Sequence, residues 1–429
     1  MRALLFGVAP EPVQAPPAAT AALATAPPAG ALATGAPNAL LEALARTPMA
    51  LRDVEEPGPL APDWVVAETL MTGICGSDAK QVFAGAEPGD AGDNCMTAFI
   101  SFPQVLGHEV VGRVCELGPA ARGLDVGQRV VLNPWLSCGP RGVDPPCPAC
   151  AAGDLSLCWS FLDGRLSPGI HTGNATEATG GFAERFPAHD SMLFPVPDQV
   201  PDEVAVLADP FSVSLHAVTR NPPPPGGRAV VYGAGALGIT TTAILRALYP
   251  EVEVLTVARW PAQAELAAKL GAVVAEPEPR LALVETIASW SGGVLRTPWA
   301  GLPVTHPGKV DVVYDTVASA ETFEVDIRVL ASRGTLVHTG VSTPLRFEWS
   351  PLYFKEIRWV GSNAFGVEEV EGRRQHAIRH YLDLVVEGRV DVSPMLTHTF
   401  PLERWRSAFT ALAEQDRSGA IKVAFDLRS

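Results

Sequence analysis

Residues 228–238 read Arg-Ala-Val-Val-Tyr-Gly-Ala-Gly-Ala-Leu-Gly, and this stretch decides the fold of the second half of the chain. Its apolar run predicts a short buried strand, and the Gly-x-Gly-x-x-Gly pattern predicts a tight turn into a helix. In that context Gly233 permits the turn, Gly235 lets a pyrophosphate approach the backbone, and Gly238 lets the helix pack on the strand. A helix N-terminus attracts anions, so we predict a dinucleotide site. The alternative is a glycine-rich turn without a ligand.

The end of the next strand, predicted at 252–257, decides which dinucleotide binds. An acidic residue about twenty positions beyond the glycines would bind the ribose diol of NAD, but Ala258 and Arg259 stand there. Without a carboxylate a 2′-phosphate is not repelled, and a guanidinium can pair with it. We therefore favour NADP over NAD, with stacking of Arg259 on the adenine as the alternative. Ala236 and Leu237 complete the predicted cofactor turn.

Strands and helices alternate after residue 228, which predicts a parallel, doubly wound sheet. Strands are predicted at 229–232, 252–257, 310–314, 334–338 and 357–360, and helices at 239–249 and 261–270. Beyond residue 361 we expect helices at 373–387 and 402–414 and a last strand at 421–427.

The first half of the chain is predicted to be rich in strands joined by long loops, since alternating segments are separated by Gly and Pro. These segments lie at 1–6, 49–54, 64–70, 110–118 and 128–134. An Ala/Pro-rich tract at 10–45 has almost no charge or periodicity, so we expect a flexible or partly helical insertion. Within it, residues 38–45 could form a short helix capped by Asn38.

Size and charge limit the classes of protein to which the chain can belong. Its 429 residues exceed what one hydrophobic core usually supports, so two domains are expected. The net charge of −15 argues against nucleic acid or an anionic membrane as a partner. No apolar run approaches the roughly 18 residues needed to span a bilayer, and the first residues are typical of a strand rather than a signal peptide. We expect a cytoplasmic protein.

Four of the seven cysteines lie within twenty-one positions: Cys138, Cys147, Cys150 and Cys158. Four thiolates form a closed tetrahedral site in which no position is left for a substrate, so we predict a structural zinc ion that folds this lobe. The alternative is a set of free thiols or two disulfides.

A second candidate metal site lies in the stretch 73–109, which holds Cys75, Ser77, His108 and Glu109. A Cys, a His and a carboxylate with one position open to water are a ligand set for catalytic zinc. A lone Cys and a lone His are more often packing residues, which is the alternative.

Taken in order, five segments resemble the zinc-dependent medium-chain alcohol dehydrogenase family, in particular its polyol and threonine dehydrogenase-like branch. They are Gly-Ile-Cys-Gly-Ser-Asp at 73–78, Gly-His-Glu at 107–109, the four-cysteine lobe, the turn at 233–238 and the Lys-Val pair at 422–423. The resemblance implies an α/β protein with a GroES-like β-rich catalytic domain and a Rossmann domain. The expected division is a catalytic domain at 1–208 with the insertion 10–45 and the lobe 138–158, a Rossmann domain at 209–363, and a C-terminal return at 364–429.

The resemblance also implies roles for single residues. Cys75 and His108 would bind the catalytic zinc, and Glu109 would bind it in some states. Asp209 stands at the third ligand position, where the polyol branch has Glu. Because Asp is shorter, direct ligation and a water-bridged contact both stay open, as does a role as the helix N-cap before Pro210.

The implied reaction is hydride transfer between a small alcohol, or its carbonyl product, and the nicotinamide. Ser77 would accept the hydroxyl proton, and Lys422 would reach the pyrophosphate. The family's proton-relay His is replaced by Lys80, Cys95 lies in a long loop, and 293–308 is an insertion. Relatives pair near 356–360, which implies a homodimer or homotetramer.

Two other functions are compatible with the sequence. The chain could be a non-catalytic cofactor-binding or scaffold protein that keeps the structural zinc, or a zinc-free quinone reductase-like enzyme. We expect four histidines to be satisfied or surface residues rather than ligands, and three aromatic residues to pack in the core or line the substrate cleft; they are His171, His189, His216, His338, Trp135, Phe161 and Phe365.

Overall fold

The computed structural model describes residues 1–10, 37–83, 98–340 and 348–428. Most of the Ala/Pro-rich tract lies outside these ranges, and so does Cys95. The predicted short helix is present but begins at Pro37, so Asn38 lies inside its first turn and is not its cap. No helix among the described residues is both long and apolar enough to cross a membrane.

The first half forms two antiparallel sheets and short helices. Its strands are β1 (Arg2–Phe6), β2 (Met49–Asp53), β3 (Trp64–Gly73), β4 (Gln104–Val105), β5 (Glu109–Leu117), β6 (Arg129–Leu132), β7 (Arg185–His189) and β8 (Leu193–Pro195). Its helices are α1 (Pro37–Arg46), α2 (Gly76–Val82), α3 (Cys138–Arg141), α4 (Pro148–Ala152), α5 (Asp202–Ala205) and α6 (Ala208–Arg220). The predicted strands are therefore present, with bounds shifted by a few residues.

The middle of the chain forms a six-stranded parallel sheet in the order β11-β10-β9-β14-β15-β16. Its strands are β9 (Arg228–Tyr232), β10 (Glu253–Val257), β11 (Val273–Ala275), β14 (Val310–Asp315), β15 (Leu330–His338) and β16 (Arg358–Gly361), and the inserted segment forms a hairpin of β12 (Leu295–Arg296) and β13 (Val304–Thr305). The helices are α7 (Ala236–Leu248), α8 (Pro261–Lys269), α9 (Arg280–Ser291), α10 (Ala320–Val329) and α11 (Ser350–Phe354). This is the doubly wound arrangement, in which all strands are parallel and the order of the strands reverses between β9 and β14.

The last residues return to the first half. They form β17 (Val367–Val370), β18 (Arg373–His376), α12 (Ala377–Val386), β19 (Leu396–Phe400), α13 (Trp405–Ala413), α14 (Gln415–Ser418) and β20 (Lys422–Asp426). β20 pairs with β3, which completes a seven-stranded sheet in the order β19-β20-β3-β5-β6-β8 with β7 also on β3. The helix predicted at 373–387 is wrong in its first four residues, since these form β18 in a hairpin with β17.

A continuous apolar core joins both large sheets through α6. Met71 of β3, Phe211 of α6 and Val231 of β9 belong to the same buried cluster. Because α6 is packed on both sides, its first turn is held at a fixed place beside the seven-stranded sheet. The predicted domain boundaries at 208 and 363 stay predictions.

Candidate active site and cofactor turn

Three potential metal ligands meet where β3 and β5 lie side by side. A ligand atom of each of Cys75, His108 and Glu109 lies within 4.8 Å of those of the other two. Cys75 follows the end of β3, and His108 directly precedes β5. Glu109 is the first residue of β5 and pairs with Gly73 in the register. The antiparallel pairing thus brings together residues that are about thirty positions apart in sequence. Thiolate, imidazole and carboxylate are ligands that zinc accepts.

Two glycines of the sequence motif are required by close packing at this site. A Cβ on Gly73 would collide with the Glu109 carboxylate. Gly107 has a φ of +90°, and a Cβ there would lie against the ring of Phe182. The glycines of the motif therefore leave room for neighbouring side chains and permit the backbone conformation, while its other residues supply potential ligands.

Asp78 is a buried carboxylate that lies against Cys75 and His108. It is buried on α2, accepts a hydrogen bond from the Cys75 N–H at 3.0 Å, and faces His108 Nδ1 at 3.6 Å. Burial opposes its ionisation, but His108 and the Cys75 N–H together hold the pKa of Asp78 below its usual value. A carboxylate that orients a ligating histidine is a common second partner of metal sites.

Asp209 lies in the first turn of α6. It is next to Cys75, His108 and Glu109, which are called the three-donor group below. Leu207 is the N-cap of this helix, so the suggestion that Asp209 caps it is wrong. The side chain is 5% exposed, and its Oδ2 has no hydrogen-bond partner among the described residues. Burial raises the pKa of Asp209 to about 7, while the charge of His108 opposes the rise. The group within 4.8 Å found among the described residues does not include Asp209.

The donor set fits a zinc ion. His108 Nδ1 and Asp209 Oδ2 are both buried and lack a hydrogen-bond partner in the described part of the chain. Buried polar atoms are normally paired, and a cation would satisfy a carboxylate oxygen of this kind.

Lys422 lies against Glu109 of the three-donor group. Its buried ammonium forms an ion pair with Glu109 and donates to the Ile74 carbonyl at 3.0 Å. Burial opposes the charge, but Glu109 raises the pKa of Lys422. A contact with pyrophosphate stays a prediction; in the structure the lysine neutralises a potential metal ligand.

Ser77 and Lys80 are both exposed on α2. Ser77 follows Cys75 by two positions, so its hydroxyl is close in sequence to the metal-ligand candidate and accessible to solvent. Its role as proton acceptor stays a prediction.

His171 lies beside the site and, as expected, is a satisfied histidine and not one of the grouped ligands. Its ring centroid lies 4.4 Å from that of His108, and its Nδ1 donates to the Thr172 carbonyl at 2.7 Å. Burial lowers the pKa of His171 to about 3, so the ring is neutral. Trp135 contacts both His171 and Phe365 edge-on, at 5.9 and 5.8 Å. No sequence pattern links these residues, which only the fold brings together.

Of the other three histidines, His216 and His189 are satisfied, as expected, whereas His338 Nδ1 is buried without a hydrogen-bond partner among the described residues. His216 Nδ1 lies 2.6 Å from Glu368, and His189 Nδ1 lies 2.8 Å from the Ser191 hydroxyl. Phe161 packs against the four-cysteine lobe.

The four-cysteine lobe brings its sulfurs to one point. Ligand atoms of all four residues lie within 4.8 Å of one another: Cys138, Cys147, Cys150 and Cys158. In this structure none of the four is joined in a disulfide. Backbone N–H groups of Cys147 and Ser160 donate to sulfur, both at 3.3 Å. A hydrogen bond from Cys158 lowers the pKa of Cys150 to about 5, which favours a thiolate.

Arg141 holds the lobe together and was not predicted. Its fully buried guanidinium donates five hydrogen bonds of 2.7–3.0 Å to the backbone carbonyls of Leu136, Asp163, Leu166, Ser167 and Gly169. The planar fork of arginine suits such convergent acceptors. The lobe's loops are therefore fixed from inside even before a metal is considered.

The glycine turn has the geometry that the sequence predicted. Gly233 has a φ of +95°, and Gly235 is the N-cap of α7. A Cβ on Gly238 would collide with the Gly233 carbonyl, whereas one on Gly235 would meet nothing within 4 Å. At the end of β10, Ala258 is buried and Arg259 is exposed. The Arg259 guanidinium lies 4.9 Å from the ring centroid of Trp260.

Comparison with known proteins agrees with this geometry. Residues 61–198 match the family described as Alcohol dehydrogenase GroES-like domain, and residues 236–385 match the family described as Zinc-binding dehydrogenase. The (R,R)-butanediol dehydrogenase of Saccharomyces cerevisiae is 29% identical over 387 residues, covering 86% of this chain and 93% of that protein. An L-threonine 3-dehydrogenase of Coxiella burnetii is 25% identical over 351 residues, covering 82% and 89%.

Solved structures share the fold over most of the chain. The 2R,3R-butanediol dehydrogenase from Bacillus subtilis has a TM-score of 0.67 and 23% identity, with coverage of 88% of this chain and 96% of its own. A zinc-binding dehydrogenase from Sinorhizobium meliloti 1021 bound to NADP has a TM-score of 0.66 and 25% identity, with coverage of 90% and 97%. The chain belongs to the zinc-dependent medium-chain alcohol dehydrogenase family. The predicted family and fold class, a GroES-like domain beside a Rossmann sheet, are confirmed.

Proposed function

We propose that this protein is a zinc-dependent alcohol dehydrogenase that transfers a hydride between a small alcohol, or its carbonyl counterpart, and a nicotinamide dinucleotide. The observation that carries this proposal is the meeting of Cys75, His108 and Glu109 within 4.8 Å of one another. A scaffold protein would need only the fold and the four-cysteine lobe. It would not need a second group of ligands with an adjoining buried carboxylate.

The residues around this group have separable roles in the proposal. A zinc ion bound there supplies a Lewis acid that lowers the pKa of the substrate hydroxyl. Asp78 fixes Cys75 and His108, Lys422 balances the charge of Glu109, and Ser77 accepts a proton on the solvent side. Asp209 would be the third protein ligand, with Glu109 binding the ion only in some states, or it would hold a water beside the ion.

The four-cysteine lobe is proposed to hold a second, structural zinc. Support comes from four sulfurs that converge with no room for a fifth ligand in a tetrahedral site. The expected content is therefore two zinc ions per chain.

NADP is proposed as the preferred cofactor. No carboxylate follows β10, and the exposed Arg259 can pair with a 2′-phosphate. Arg259→Gln is expected to lower the ratio of kcat/KM for NADP to that for NAD about tenfold, because one charge-assisted contact is lost. Arg246→Gln on α7 serves as the control. An unchanged ratio would show that Arg259 contacts only Trp260 or the adenine.

Activity is tested by following nicotinamide absorbance with a panel of primary alcohols, secondary alcohols, diols, polyols and their carbonyl products. Turnover by zinc-loaded protein supports the proposal. Absence of turnover together with absence of cofactor binding contradicts it and favours the scaffold alternative.

A homodimer or homotetramer is proposed through the β16 edge of the parallel sheet. β16 ends the sheet order, and Trp359 on it is 41% exposed. Tyr353, on the neighbouring α11, is 87% exposed. Unpaired edge strands with exposed aromatic residues favour pairing with a second copy. Light scattering coupled to gel filtration measures the mass, and a monomer at micromolar concentration would contradict this part.

A further inference from the structure

Three consecutive threonines lie in α7 shortly after the glycine turn: Thr240, Thr241 and Thr242. Each of them is at most 1% exposed. Threonine is a weak helix former, and a buried hydroxyl is costly unless it has a hydrogen-bond partner, so local propensity does not favour this run. The hydroxyl of Thr240 faces α6, whereas that of Thr242 faces β10.

Thr240 meets Ser214 where α6 and α7 pack against each other. The two hydroxyl oxygens are 2.7 Å apart, and Ser214 is 1% exposed. Ser214 Oγ also lies 3.0 Å from the Leu237 carbonyl, and Thr240 Oγ1 lies 3.3 Å from the Pro210 carbonyl and 2.9 Å from that of Ala236. Among the described residues, both partners of the Ser214 hydroxyl are on α7. Whichever of them accepts its proton, the hydrogen bond therefore crosses between the two helices.

These contacts connect the cofactor turn with a candidate metal ligand. Leu237 belongs to the cofactor turn at the start of α7, and Pro210 directly follows Asp209 in the first turn of α6. Because Asp209 Oδ2 has no hydrogen-bond partner among the described residues, the backbone of α6 determines where this carboxylate lies. A shift of α6 against α7 would therefore move Asp209 relative to the cofactor turn.

The proposed reaction depends on this relative position. The substrate would bind at the three-donor group, whereas the pyrophosphate of the cofactor would bind at the start of α7. Reacting groups must lie about 3–3.5 Å apart, and a displacement of about 1 Å can lower the rate about a hundredfold. Apolar packing alone is not directional, but hydrogen bonds are, so buried hydroxyls can hold two helices in one arrangement.

We propose that Ser214 and Thr240 are positioning residues that couple the cofactor turn to Asp209 at the metal site. A dinucleotide that fixes the start of α7 restrains Asp209 through the two hydroxyls. Zinc at Asp209 restrains the cofactor turn in return, because coupling between two binding sites is reciprocal. The inference rests on the zinc and cofactor sites of the proposed function, but it does not require turnover.

The coupling is measured as the change in zinc affinity that a bound dinucleotide causes. Full-length protein is titrated with a chelator, with and without saturating NADP or NAD, and the relevant zinc ion is the one that Cys75→Ser removes. We expect the dinucleotide to tighten zinc binding about fivefold in the wild type, which is usual for coupled sites. In Ser214→Ala and in Thr240→Val the change should be less than about twofold, because the connecting hydroxyl is lost.

Thr256→Val is the matched control. The Thr256 hydroxyl is buried and lies 2.8 Å from that of Thr242, on the side of α7 that packs against β10. Thr240→Val and Thr256→Val thus each remove one member of a buried hydroxyl pair, and their melting temperatures should fall by similar amounts. Only Thr240→Val should lose the coupling. Thr240→Ser keeps the hydroxyl and should restore it.

The outcomes separate this inference from the proposed function. Zinc content that does not depend on Cys75, or zinc affinity that neither dinucleotide changes in the wild type, overturns the coupling. An equal change in wild type, Ser214→Ala and Thr240→Val also overturns it, as does an equal loss in Thr256→Val.

Loss of coupling in Ser214→Ala and Thr240→Val, with the control unchanged, supports the inference. If the wild type then turns over no substrate of the panel, the proposed function is contradicted while the coupling stands. If Thr240→Val instead lowers kcat about tenfold and Thr256→Val leaves it unchanged, the result supports both, because the geometry between the reactants is altered.

Discussion

The four-cysteine lobe and the three-donor group both bring potential metal ligands together, but they take them from different parts of the chain. All four lobe sulfurs come from twenty-one consecutive positions, and backbone N–H groups and Arg141 hold the loops that carry them. The three-donor group instead combines the ends of two strands, and Asp209 of α6 and Lys422 of β20 lie beside it. The first arrangement is closed and local, which suits a structural ion. The second leaves one coordination position of the ion free for water or substrate. It also depends on buried charges from distant elements, and both features suit a catalytic ion.

The largest expected effect is loss of the structural metal. Cys150→Ser should lower the free energy of unfolding by several kcal/mol, because zinc binding worth on the order of 10 kcal/mol is coupled to folding in such sites. Chemical denaturation measures it. Cys115→Ser, on β5 and outside both groups, should change the value by less than about 1 kcal/mol. Equal effects of the two changes would contradict a metal-folded lobe.

Cys75→Ser should act on turnover and spare the fold. We expect kcat to fall about a thousandfold, because the Lewis acid supplies several kcal/mol of transition-state stabilisation. Its free energy of unfolding should change by about 1 kcal/mol or less. Steady-state kinetics and denaturation on the same preparation check both halves. If Cys75→Ser unfolds as readily as Cys150→Ser, the proposed difference between the two sites is wrong, since both sites would then be structural.

Arg141→Met tests whether the lobe is fixed from inside by hydrogen bonds. Five backbone carbonyls lose their donor, so we expect a loss of about 3 kcal/mol of stability. The matched change Arg165→Met removes a half-exposed arginine and should cost about 1 kcal/mol or less. If the two variants melt alike, the zinc alone organises the lobe.

Asp78→Asn tests the buried charges of the three-donor site. The change keeps the shape but removes the charge that faces His108, so zinc affinity or kcat/KM should fall about tenfold to a hundredfold. Competition with a chelator measures the affinity. Asp53→Asn, an exposed carboxylate on β2, is the control. Wild-type affinity in Asp78→Asn would mean that Asp78 only caps α2.

Local sequence predicted the parts of the protein in which neighbouring residues act together. The glycine turn, the cysteine lobe and the alternating strands are of this kind. The roles of Asp78 and Arg141 were not predicted, because the fold brings Asp78 to His108 and Arg141 to residues 163–169. The contact of Lys422 with Glu109 also depends on the fold, since β20 pairs with β3 and puts the ammonium there.

Three local predictions were wrong: the helix at 373–376 and the helix caps at Asn38 and Asp209. Residues 373–376 have helical neighbours, but their pairing with β17 prevails over local propensity. Asp209 precedes Pro210, a common N-cap pattern, but α6 already begins at Ala208 because Leu207 follows directly from the preceding turn.

The central claim, that one chain holds a local structural zinc and a dispersed catalytic zinc, is tested most directly by counting metal. Elemental analysis of purified, chelator-washed protein should find two zinc ions per chain in wild type and one in Cys75→Ser, with the remaining ion resistant to exchange. One zinc in wild type that Cys75→Ser leaves in place would contradict the account, because the three-donor group would then hold no metal.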